Sequence, residues 1–486
     1  MIYKLRPYQE ECVKSISDYI NSDRHDPVLI VGPVGCGKSL LIAEAARLMG
    51  DKTLILQPSK ELLQQNHDKI TSYGIPATIY SASCGKKELS NMIYATLGSI
   101  KKVVGQLKEM GIRNVLIDEA HAGYSPEDGS EFMTFMNELK PKKVIGFTAT
   151  PCRLKTMSIG QVSYSQLNFI TRMRPVYFKN LIHVIQVEEM IRQGFWTPLK
   201  YETWDFNGDA LKLNSNGSEY TAESISEAVR KNGLNNLILR RLMVLKDVCR
   251  SILVFMDSVE SCNTAAEWMN AKICAGMAEV VHGGTPKKQR EAIVEGFKSG
   301  KTKVVFNYSA LGTGFDHPGL DCVIVGRPTF SFSSFYQWLG RAVRIKDGKD
   351  SALVVDCCNN SSRFGNIRKL SIENYKGYGW GMFIGDKLIT NIPMGDKVTK
   401  TDLDIKAAKK DRRRGLAQGV TAAPVHGRPD HPLGSTVMTF GKYCGWMFHS
   451  IPVSYFKFIN ETFDWDNDRN KDIKEYIDFL IKNNRL

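Results

Sequence analysis

The stretch Gly32-Pro33-Val34-Gly35-Cys36-Gly37-Lys38-Ser39 follows the apolar run Val28-Leu29-Ile30-Val31 and precedes a helix-forming segment, residues 40–48. It fits the phosphate-binding pattern G-x-x-x-x-G-K-[ST], in the strand-to-helix position that its chemistry requires. Its glycines let backbone N–H groups surround phosphates, and the helix N-terminus adds further donors. We expect Lys38 to contact the terminal phosphates of a nucleotide and Ser39 to hold Mg²⁺.

A second motif, Asp118-Glu119-Ala120-His121, follows the apolar run Val115-Leu116-Ile117. Its carboxylates are therefore expected at the carboxyl end of a buried parallel strand, where ligands bind in open α/β sheets. Asp118 is expected to reach Mg²⁺, and Glu119 to orient and deprotonate the attacking water. Together the two motifs indicate nucleotide hydrolysis.

The composition bounds the class of protein. With 486 residues, of which 43% are apolar, the chain is long enough for two or three domains. A formal charge of +14 suits a polyanionic partner, although charge alone only raises that hypothesis. The sequence contains no run of eighteen apolar residues and no signal-peptide core, so we expect a cytoplasmic location, in a bacterium or a phage-infected host, and no membrane partner. Eleven cysteines without a C-x-x-C pair argue against a zinc ribbon, and Cys36 is expected to be a passive thiol.

Short β-rich runs alternate with helical segments twice along the chain, which predicts parallel sheets flanked by helices. Only the first series carries a phosphate loop. The predicted α/β fold therefore has two tandem domains and a small C-terminal module. The predicted boundaries are 1–160 for the ATP-binding domain, 161–235 for a connector and insertion, 236–370 for the second domain, 371–432 for a basic linker and 433–486 for the accessory module.

The second domain contributes arginines. Arg341 and Arg344 lie three residues apart, so in a helix they would share one face and could point together across a cleft. Arginine suits a transferring phosphoryl group because its planar charge stabilises the spreading negative charge. We expect both side chains to act on a nucleotide bound to the first domain.

The order of these motifs resembles that of the superfamily 2 helicases and translocases of the DEAD/DEAH type. The matching strings are residues 5–9 (LRPYQ), 57–62 (QPSKEL), 96–99 (TLGS), 118–121 (DEAH), 148–151 (TATP), 312–316 (GTGFD) and 337–344 (QWLGRAVR). The resemblance implies two RecA-like domains. It implies nucleotide contacts from Arg6, Gln9, Gly35, Gly37, Lys38, Ser39, Gly314, Asp316 and Gln337. It implies nucleic-acid contacts from Pro58, Ser59, Lys60, Thr96, Gly98, Ser99 and Thr313. Thr148 and Thr150 would couple hydrolysis to domain movement.

Within that superfamily, residues 148–153 (TATPCR), 194–198 (GFWTP) and 311–318 (LGTGFDHP) resemble the RadD type and related phage branch-processing helicases. The C-terminus departs from the RadD pattern, because a module around Gly441-Lys442-Tyr443 stands where that type has a cysteine-rich tail. That module is compatible with a nucleic-acid contact or with a tight turn over a small aromatic core.

The sequence therefore predicts an ATP-dependent DNA helicase or translocase, acting on branched or forked DNA in repair, recombination or replication. Because backbone-tracking motors need not read the 2′-hydroxyl, an RNA helicase of the same fold stays open. The motifs are also compatible with the motor subunit of a restriction or defence complex, and with a nucleotide-binding scaffold without turnover. The aromatic side chains of Phe315 and Trp338 could stack bases, but we favour buried packing for both.

Overall fold

The computed structural model of the chain describes residues 4–159, 162–311, 315–407, 433, 436, 438, 443, 447–451, 453–462, 471–483 and 485. The chain divides into two units, Met1–Leu403 and Asp404–Leu486. In the first unit, apolar runs form two mainly parallel sheets whose central strands are buried on both faces.

The first sheet is built around the strand that precedes the phosphate loop. Its strand order is β10-β1-β7-β6-β2-β5-β3-β4, and only β3 and β4 pair antiparallel. The strands are β1 (Val28–Val31), β2 (Thr53–Leu56), β3 (Thr78–Ser81), β4 (Lys86–Lys87), β5 (Met92–Ala95), β6 (Asn114–Ile117), β7 (Lys143–Thr148) and β10 (Asn180–Val184). The associated helices are α1 (Pro7–Asn21), α2 (Lys38–Met49), α3 (Lys60–Thr71), α4 (Leu97–Ile100), α5 (Val104–Glu109), α6 (Glu131–Leu139) and α7 (Val187–Arg192).

An antiparallel hairpin of β8 (Cys152–Ile159) and β9 (Val162–Phe169) separates β7 from β10. The second sheet is parallel throughout, with the order β11-β16-β15-β12-β14-β13. Its strands are β11 (Leu199–Thr203), β12 (Ile252–Phe255), β13 (Ala278–His282), β14 (Val304–Tyr308), β15 (Cys322–Val325) and β16 (Ala352–Asp356). Its helices are α8 (Ala222–Lys231), α9 (Leu234–Val248), α10 (Val259–Lys272), α11 (Lys287–Ser299), α12 (Phe332–Leu339) and α13 (Asn360–Phe364).

The range predicted as a connector, 161–235, contributes a strand to each sheet. β10 pairs with β1, and β11 pairs with β16. Both are edge strands with partly exposed residues, so their sequences lack the continuous apolar run that marks a central strand. The chain therefore crosses from one sheet to the other between residues 184 and 199.

The range predicted as a basic linker, 371–432, begins inside a four-stranded antiparallel sheet. This sheet consists of β17 (Leu370–Tyr375), β18 (Gly379–Ile384), β19 (Lys387–Leu388) and β20 (Val398–Thr399). In the sequence, glycines and very short strands hide the alternation of apolar and polar residues that would predict this sheet. Gln186, just before α7, fastens this sheet to the first domain: its Nε2 donates to the carbonyl of Ile372 at 2.7 Å, and its Oε1 accepts from the Ile372 N–H at 3.2 Å.

The second unit, Asp404–Leu486, contains α14 (Val453–Thr462) and α15 (Lys471–Lys482). Phe448, Phe456, Tyr476 and Ile477 are among its buried residues and form a small aromatic and aliphatic core. Of the predicted turn residues, Tyr443 packs against that core, whereas Gly441 and Lys442 lie outside the described residues. None of the helices in the described part of the chain combines the length and apolar character needed to cross a lipid bilayer.

Candidate nucleotide and nucleic-acid site

The strand order brings the predicted motifs to one edge of the first sheet. The phosphate loop follows β1, the Thr148 motif ends β7, the Asp118 motif follows β6, and the loops after β2 and β5 come next in the sheet. All five strands run parallel, so their carboxyl ends meet at the same edge. The nucleotide motifs thus adjoin the predicted nucleic-acid motifs without an intervening strand.

The phosphate loop depends on two glycines with left-handed backbone. Gly35 has φ +84° and Gly37 has φ +83°. A Cβ on Gly37 would lie 2.6 Å from Nε2 of Gln9, so a larger residue would collide with that side chain. The loop is therefore shaped as an open cradle of backbone N–H groups at the start of α2, which fits the phosphates of ATP.

Gln9 holds the back of this loop. Its Nε2 donates to the carbonyl of Cys36 at 2.9 Å, and its Oε1 accepts from the backbone N–H of Arg6 at 3.0 Å. The hydroxyl of Tyr8 donates to the same Cys36 carbonyl at 3.1 Å. Burial raises the pKa of the Cys36 thiol to about 11, which supports a passive packing role for that side chain.

Two aromatic residues that were not among the predicted site residues support the loop from the connector. The guanidinium of Arg6 lies 4.7 Å from the ring centroid of Phe195. Nε1 of buried Trp196 donates to the carbonyl of Val34 at 2.9 Å. In the sequence, the only sign of a role for these two residues was the resemblance of residues 194–198 (GFWTP) to the RadD type. The structural role of this segment is to attach the connector to the phosphate loop.

The two carboxylates of the second motif, those of Asp118 and Glu119, have different hydrogen-bond partners. Oδ1 of Asp118 accepts from the N–H of Glu119 at 2.8 Å, and its Oδ2 accepts from Nδ2 of Asn66 at 2.9 Å. Glu119, with φ 45°, places Oε1 at 3.1 Å from Nζ of Lys38. Its Oε2 is buried and accepts no hydrogen bond among the described residues, although Nδ1 of His121 is 3.4 Å away. This oxygen is free to accept a proton or a water.

The surroundings of the two carboxyl groups shift their pKa values in opposite directions. Burial and the adjacent Glu119 raise the pKa of Asp118. Burial also acts to raise the pKa of Glu119, but the charge and the hydrogen bond of Lys38, together with the charge of Arg341, outweigh it and lower that pKa. Burial lowers the pKa of His121 to about 4, so its imidazole is neutral near pH 7. Glu119 is therefore available as a base, and His121 is not a competing cation.

The residues present fit a Mg²⁺ ion bound together with phosphates. Asp118 supplies a buried carboxylate, and Ser39 supplies a hydroxyl on the same cavity wall. No group of three or more His, Cys, Asp or Glu side chains within the described ranges is arranged to hold a metal by itself. Mg²⁺ commonly binds through one or two carboxylates plus substrate phosphates, which matches this sparse donor set.

The arginines of the second domain reach the same cavity, but not as one face of a helix. The helical condition of that expectation is not met, because α12 ends at Leu339, Arg341 follows in a turn, and Arg344 lies in irregular chain beyond it. Arg341 is buried: its Nη1 donates to the carbonyl of Phe315 at 2.6 Å, and its Nε donates to the carbonyl of Gln337 at 3.1 Å. Nε of Arg344 lies 2.5 Å from Oδ1 of Asp316. Burial and the charge of Arg344 lower the pKa of Arg341 to about 10, and the side chain stays cationic near pH 7.

The loops of the two domains are in direct contact. A Cβ on Gly340, at the end of α12, would lie 2.6 Å from Cγ2 of Val34 in the phosphate loop. A Cβ on Gly35 would lie 3.1 Å from Cγ2 of Val343. Glycine at these positions lets the two loops approach closely, which brings the arginines beside the phosphate cradle.

A cavity of about 490 Å³ lies between these loops. Its lining includes most of the predicted nucleotide residues: Arg6, Gln9, Gly35, Gly37, Lys38, Ser39, Asp118, Glu119, Asp316, Gln337, Arg341 and Arg344. Gly314 and Thr313 lie outside the described residues. The arrangement gathers a phosphate cradle, three carboxylates and three guanidinium groups around one space.

The predicted nucleic-acid residues lie at the ends of neighbouring strands β2 and β5. Pro58, Lys60 and Gly98 are exposed. The hydroxyl of Ser59 caps α3 by accepting from the N–H of Leu62 at 3.3 Å, and Thr96 donates to Ser99 at 3.1 Å. These residues form a polar edge, and their contact with nucleic acid stays a prediction.

Two threonines link the site to the second domain. Oγ1 of Thr148 is 2.9 Å from Nδ1 of His121, and the backbone N–H of Thr150 donates to the same Oγ1 at 3.0 Å. Oγ of Ser333, on α12, donates to Oγ1 of Thr150 at 3.0 Å. A chain of contacts thus runs from Glu119 through His121 to the helix that precedes the arginines.

Comparisons with known proteins match both domains. The family model "Type III restriction enzyme, res subunit" matches residues 2–153, and the model "Helicase conserved C-terminal domain" matches residues 235–346. A 51.5 kDa protein of Lactococcus phage (isolate 7-9) is 25% identical over 332 residues, covering 68% of this chain and 65% of the phage protein. This chain therefore spans slightly less than two thirds of that relative.

The DNA 3'-5' translocase XPB2 of Sulfurisphaera tokodaii is 24% identical over 381 residues, covering 72% of this chain and 81% of that protein. Among solved structures, the type ISP restriction-modification enzyme LlaBIII bound to DNA superposes with a TM-score of 0.54 at 14% identity, covering 87% of this chain and 31% of LlaBIII. That likeness supports the fold only. The predicted fold of two RecA-like α/β domains is confirmed, and the chain belongs to the superfamily 2 helicases.

Proposed function

We propose that this protein is a nucleic-acid-dependent ATPase that converts ATP hydrolysis into movement along DNA. The observation that carries the proposal is the convergence of Lys38, Glu119, Arg341 and Arg344 on one cavity between two sheets. A site divided between two domains senses their separation, because it is complete only when they close. Hydrolysis can then be coupled to opening and closing.

In the proposed reaction, the glycine cradle and Lys38 bind the phosphates, and Arg6 and Gln9 hold the nucleoside end. Glu119 orients a water and accepts its proton on Oε2, which has no hydrogen-bond partner among the described residues. The water attacks the terminal phosphorus, and the bond from that phosphorus to the bridging oxygen breaks, so that ADP leaves. Arg341 and Arg344 stabilise the charge that spreads over the transferring phosphoryl group. Mg²⁺, held by Ser39 and Asp118, would neutralise phosphate charge when bound.

Movement follows from the hydrogen bond between Thr150 and Ser333, which joins the two domains next to the site. When phosphate leaves, Arg341 and Arg344 lose their anionic partner, and the domains can separate. A strand held by the polar edge at β2 and β5 would be released and rebound with each cycle. Because phosphate contacts dominate such binding, affinity should fall steeply with salt and depend little on base sequence.

DNA is the favoured substrate because a similar protein, the DNA 3'-5' translocase XPB2, is described as acting on DNA. We propose forked or branched DNA as the preferred form. The main competing function is the motor subunit of a restriction or defence complex, which is favoured by the match to the restriction-enzyme family model. Stable co-purification with an endonuclease would favour that function, and an RNA-specific response would favour an RNA helicase.

The decisive experiment is ATP turnover alone and with single-stranded DNA, forked DNA or RNA. We expect DNA to stimulate turnover and Glu119→Gln to lower it by about 10² to 10⁴, the usual contribution of a general base. ATP binding by the variant should persist, measured with a fluorescent nucleotide. Absence of turnover under every condition would contradict the proposal, and stimulation by RNA alone would contradict the substrate.

A further inference from the structure

A second polar cavity is lined by residues of the second domain and by Glu219 of the insertion. It shares only Gln337 with the lining of the ATP-binding cavity. It measures about 340 Å³ and lies at the carboxyl end of the second sheet. Phe255 ends β12, Asn307 lies near the end of β14, and Arg327 follows β15. This is the edge at which open parallel sheets bind ligands.

Two buried donors of this cavity have no hydrogen-bond partner among the described residues. Oδ1 of Asn307 accepts from the N–H groups of Ala310 at 3.2 Å and Leu311 at 2.8 Å, so its amide orientation is fixed. Nδ2 of Asn307 is then left without a hydrogen-bond partner among the described residues, and the side chain is 1% exposed. Nε of Arg327 is likewise buried and has no hydrogen-bond partner within the described ranges, although the guanidinium lies 5.4 Å from the ring centroid of Tyr308. Such groups are costly unless an acceptor satisfies them in the working state.

The acidic residue of the cavity is already engaged. Glu219 accepts from Oγ1 of Thr329 at 2.5 Å and from the backbone N–H of Phe330 at 2.7 Å. A third bond comes from the N–H of Tyr220 at 2.9 Å. Glu219 therefore serves to hold the insertion against the second domain, and the donors of Asn307 and Arg327 remain for an outside acceptor.

An aromatic wall completes the cavity. The indole of Trp338 stacks on the ring of Phe255, with centroids 5.0 Å apart and planes at 20°. Phe255 is buried, whereas Trp338 is only partly buried. One aromatic face thus rests on the core, and the partly exposed ring lines the cavity as a platform. Bases of any identity can stack on such a surface.

We propose that this cavity receives one nucleotide of the bound strand, with its phosphate accepting from Arg327 and Asn307 and its base stacking on Trp338. The inference rests on the proposed function, since it names a contact of the same substrate. Trp338 and Gln337 are neighbours on α12, three and four residues before Arg341, so the end of α12 lines both this cavity and the ATP-binding cleft. Our expectation that Trp338 only packs is revised by this proposal.

The first test is binding of a fluorescent oligo-dT strand to the full chain, measured by anisotropy over a range of salt. Trp338→Leu should weaken binding about tenfold, the effect of losing one stacked base. Arg327→Gln should weaken binding and reduce the slope of log K against log salt by about 0.7, the value for one phosphate of a single strand. The matched control is Arg240→Gln, an exposed arginine on α9, which should leave affinity and slope unchanged.

The outcomes separate the two proposals. If the unaltered protein binds no strand, the proposed function fails. If it binds, but the Arg327 and Trp338 variants match it in affinity and slope, only this inference fails. Because these variants could perturb folding, the unaltered protein is also cross-linked to a strand carrying 5-iododeoxyuridine. We expect an adduct at Trp338 by mass spectrometry, and adducts confined to residues of the first domain would overturn the inference.

Discussion

Gly340 allows the second domain to touch the phosphate loop. We predict that Gly340→Ala keeps the domains apart, because the new Cβ would lie 2.6 Å from Cγ2 of Val34 and 3.1 Å from the carbonyl oxygen of Tyr336. Displacing Arg341 by about 1 Å should lower nucleic-acid-stimulated ATP turnover by about 100-fold. Steady-state ATP turnover checks this.

The matched control is Gly105→Ala on α5, where a Cβ meets no atom within 4 Å. That variant should turn over ATP at the normal rate and should be equally or more stable, since alanine favours a helix. Normal turnover by Gly340→Ala would show that contact between the loops is not required for hydrolysis.

His317 gives the stability a specific pH dependence. It is buried against the ring of Phe297, with Nε2 at 3.1 Å from Oγ of Ser251. Burial, with the charges of Lys346, Lys298 and Lys349, lowers its pKa to about 4, while Asp321 opposes the shift. The unfolded chain, with an ordinary value near 6.5, then binds the extra proton between pH 4 and 6.5, and stability falls as pH falls through that window.

We therefore predict that His317→Gln flattens the dependence of unfolding free energy on pH between 6.5 and 4. Urea unfolding at several pH values measures it, and the slope per pH unit should fall by up to about 1.4 kcal/mol. The exposed His25 provides the control, because His25→Gln should leave the slope unchanged. An identical slope for His317→Gln would contradict the burial argument.

At the scale of elements, α1 is fastened to the first sheet by one lysine. Nζ of Lys143, at the start of β7, donates to the carbonyls of Tyr19 at 2.9 Å, Ser22 at 2.7 Å and Arg24 at 2.6 Å. We predict that Lys143→Met destabilises the fold by about 1 to 3 kcal/mol, because the carbonyls around the end of α1 lose a charged donor. Thermal or urea unfolding measures the change.

Lys142→Met is the control, since that side chain is exposed and next in sequence. It should change stability by less than about 0.5 kcal/mol. Equal effects of the two substitutions would mean that the bonds to the three carbonyls contribute no net stability.

Elements differ in how far their sequence predicts them. The central strands β1, β6 and β12 are continuous apolar runs because both faces of their sheets are covered, so the sequence predicts them directly. The sequence does not predict β10 or β18. An edge position removes the apolar run from β10, and alternating glycines remove it from β18. The end of α12 before Arg341 was also missed, since the contact of Gly340 with Val34 is a property of the assembled domains.

At the scale of the whole molecule, the bond between Thr150 and Ser333 joins the two domains. We predict that Thr150→Val and Ser333→Ala each lower DNA-stimulated ATP turnover, and that the double variant is little worse than either single one. The coupling energy in this cycle should be about 0.5 to 1.5 kcal/mol, the net value of one hydrogen bond. Pairing Ser333→Ala with Thr134→Val, an exposed threonine on α6, should instead give additive effects. Additivity of the Thr150 pair would exclude this bond from coupling.

The sequence alone determined the residues whose chemistry is local: the phosphate loop, the Asp118 and Glu119 pair and the apolar strands that carry them, because each depends on spacing within a few residues. Only the tertiary structure decided which distant groups meet. It brought Trp196 to Val34 and Gly340 to the phosphate loop. Beside Trp338, it left Nδ2 of Asn307 and Nε of Arg327 without a hydrogen-bond partner among the described residues. Such pairings depend on strand order and on the approach of two domains, which no local spacing encodes.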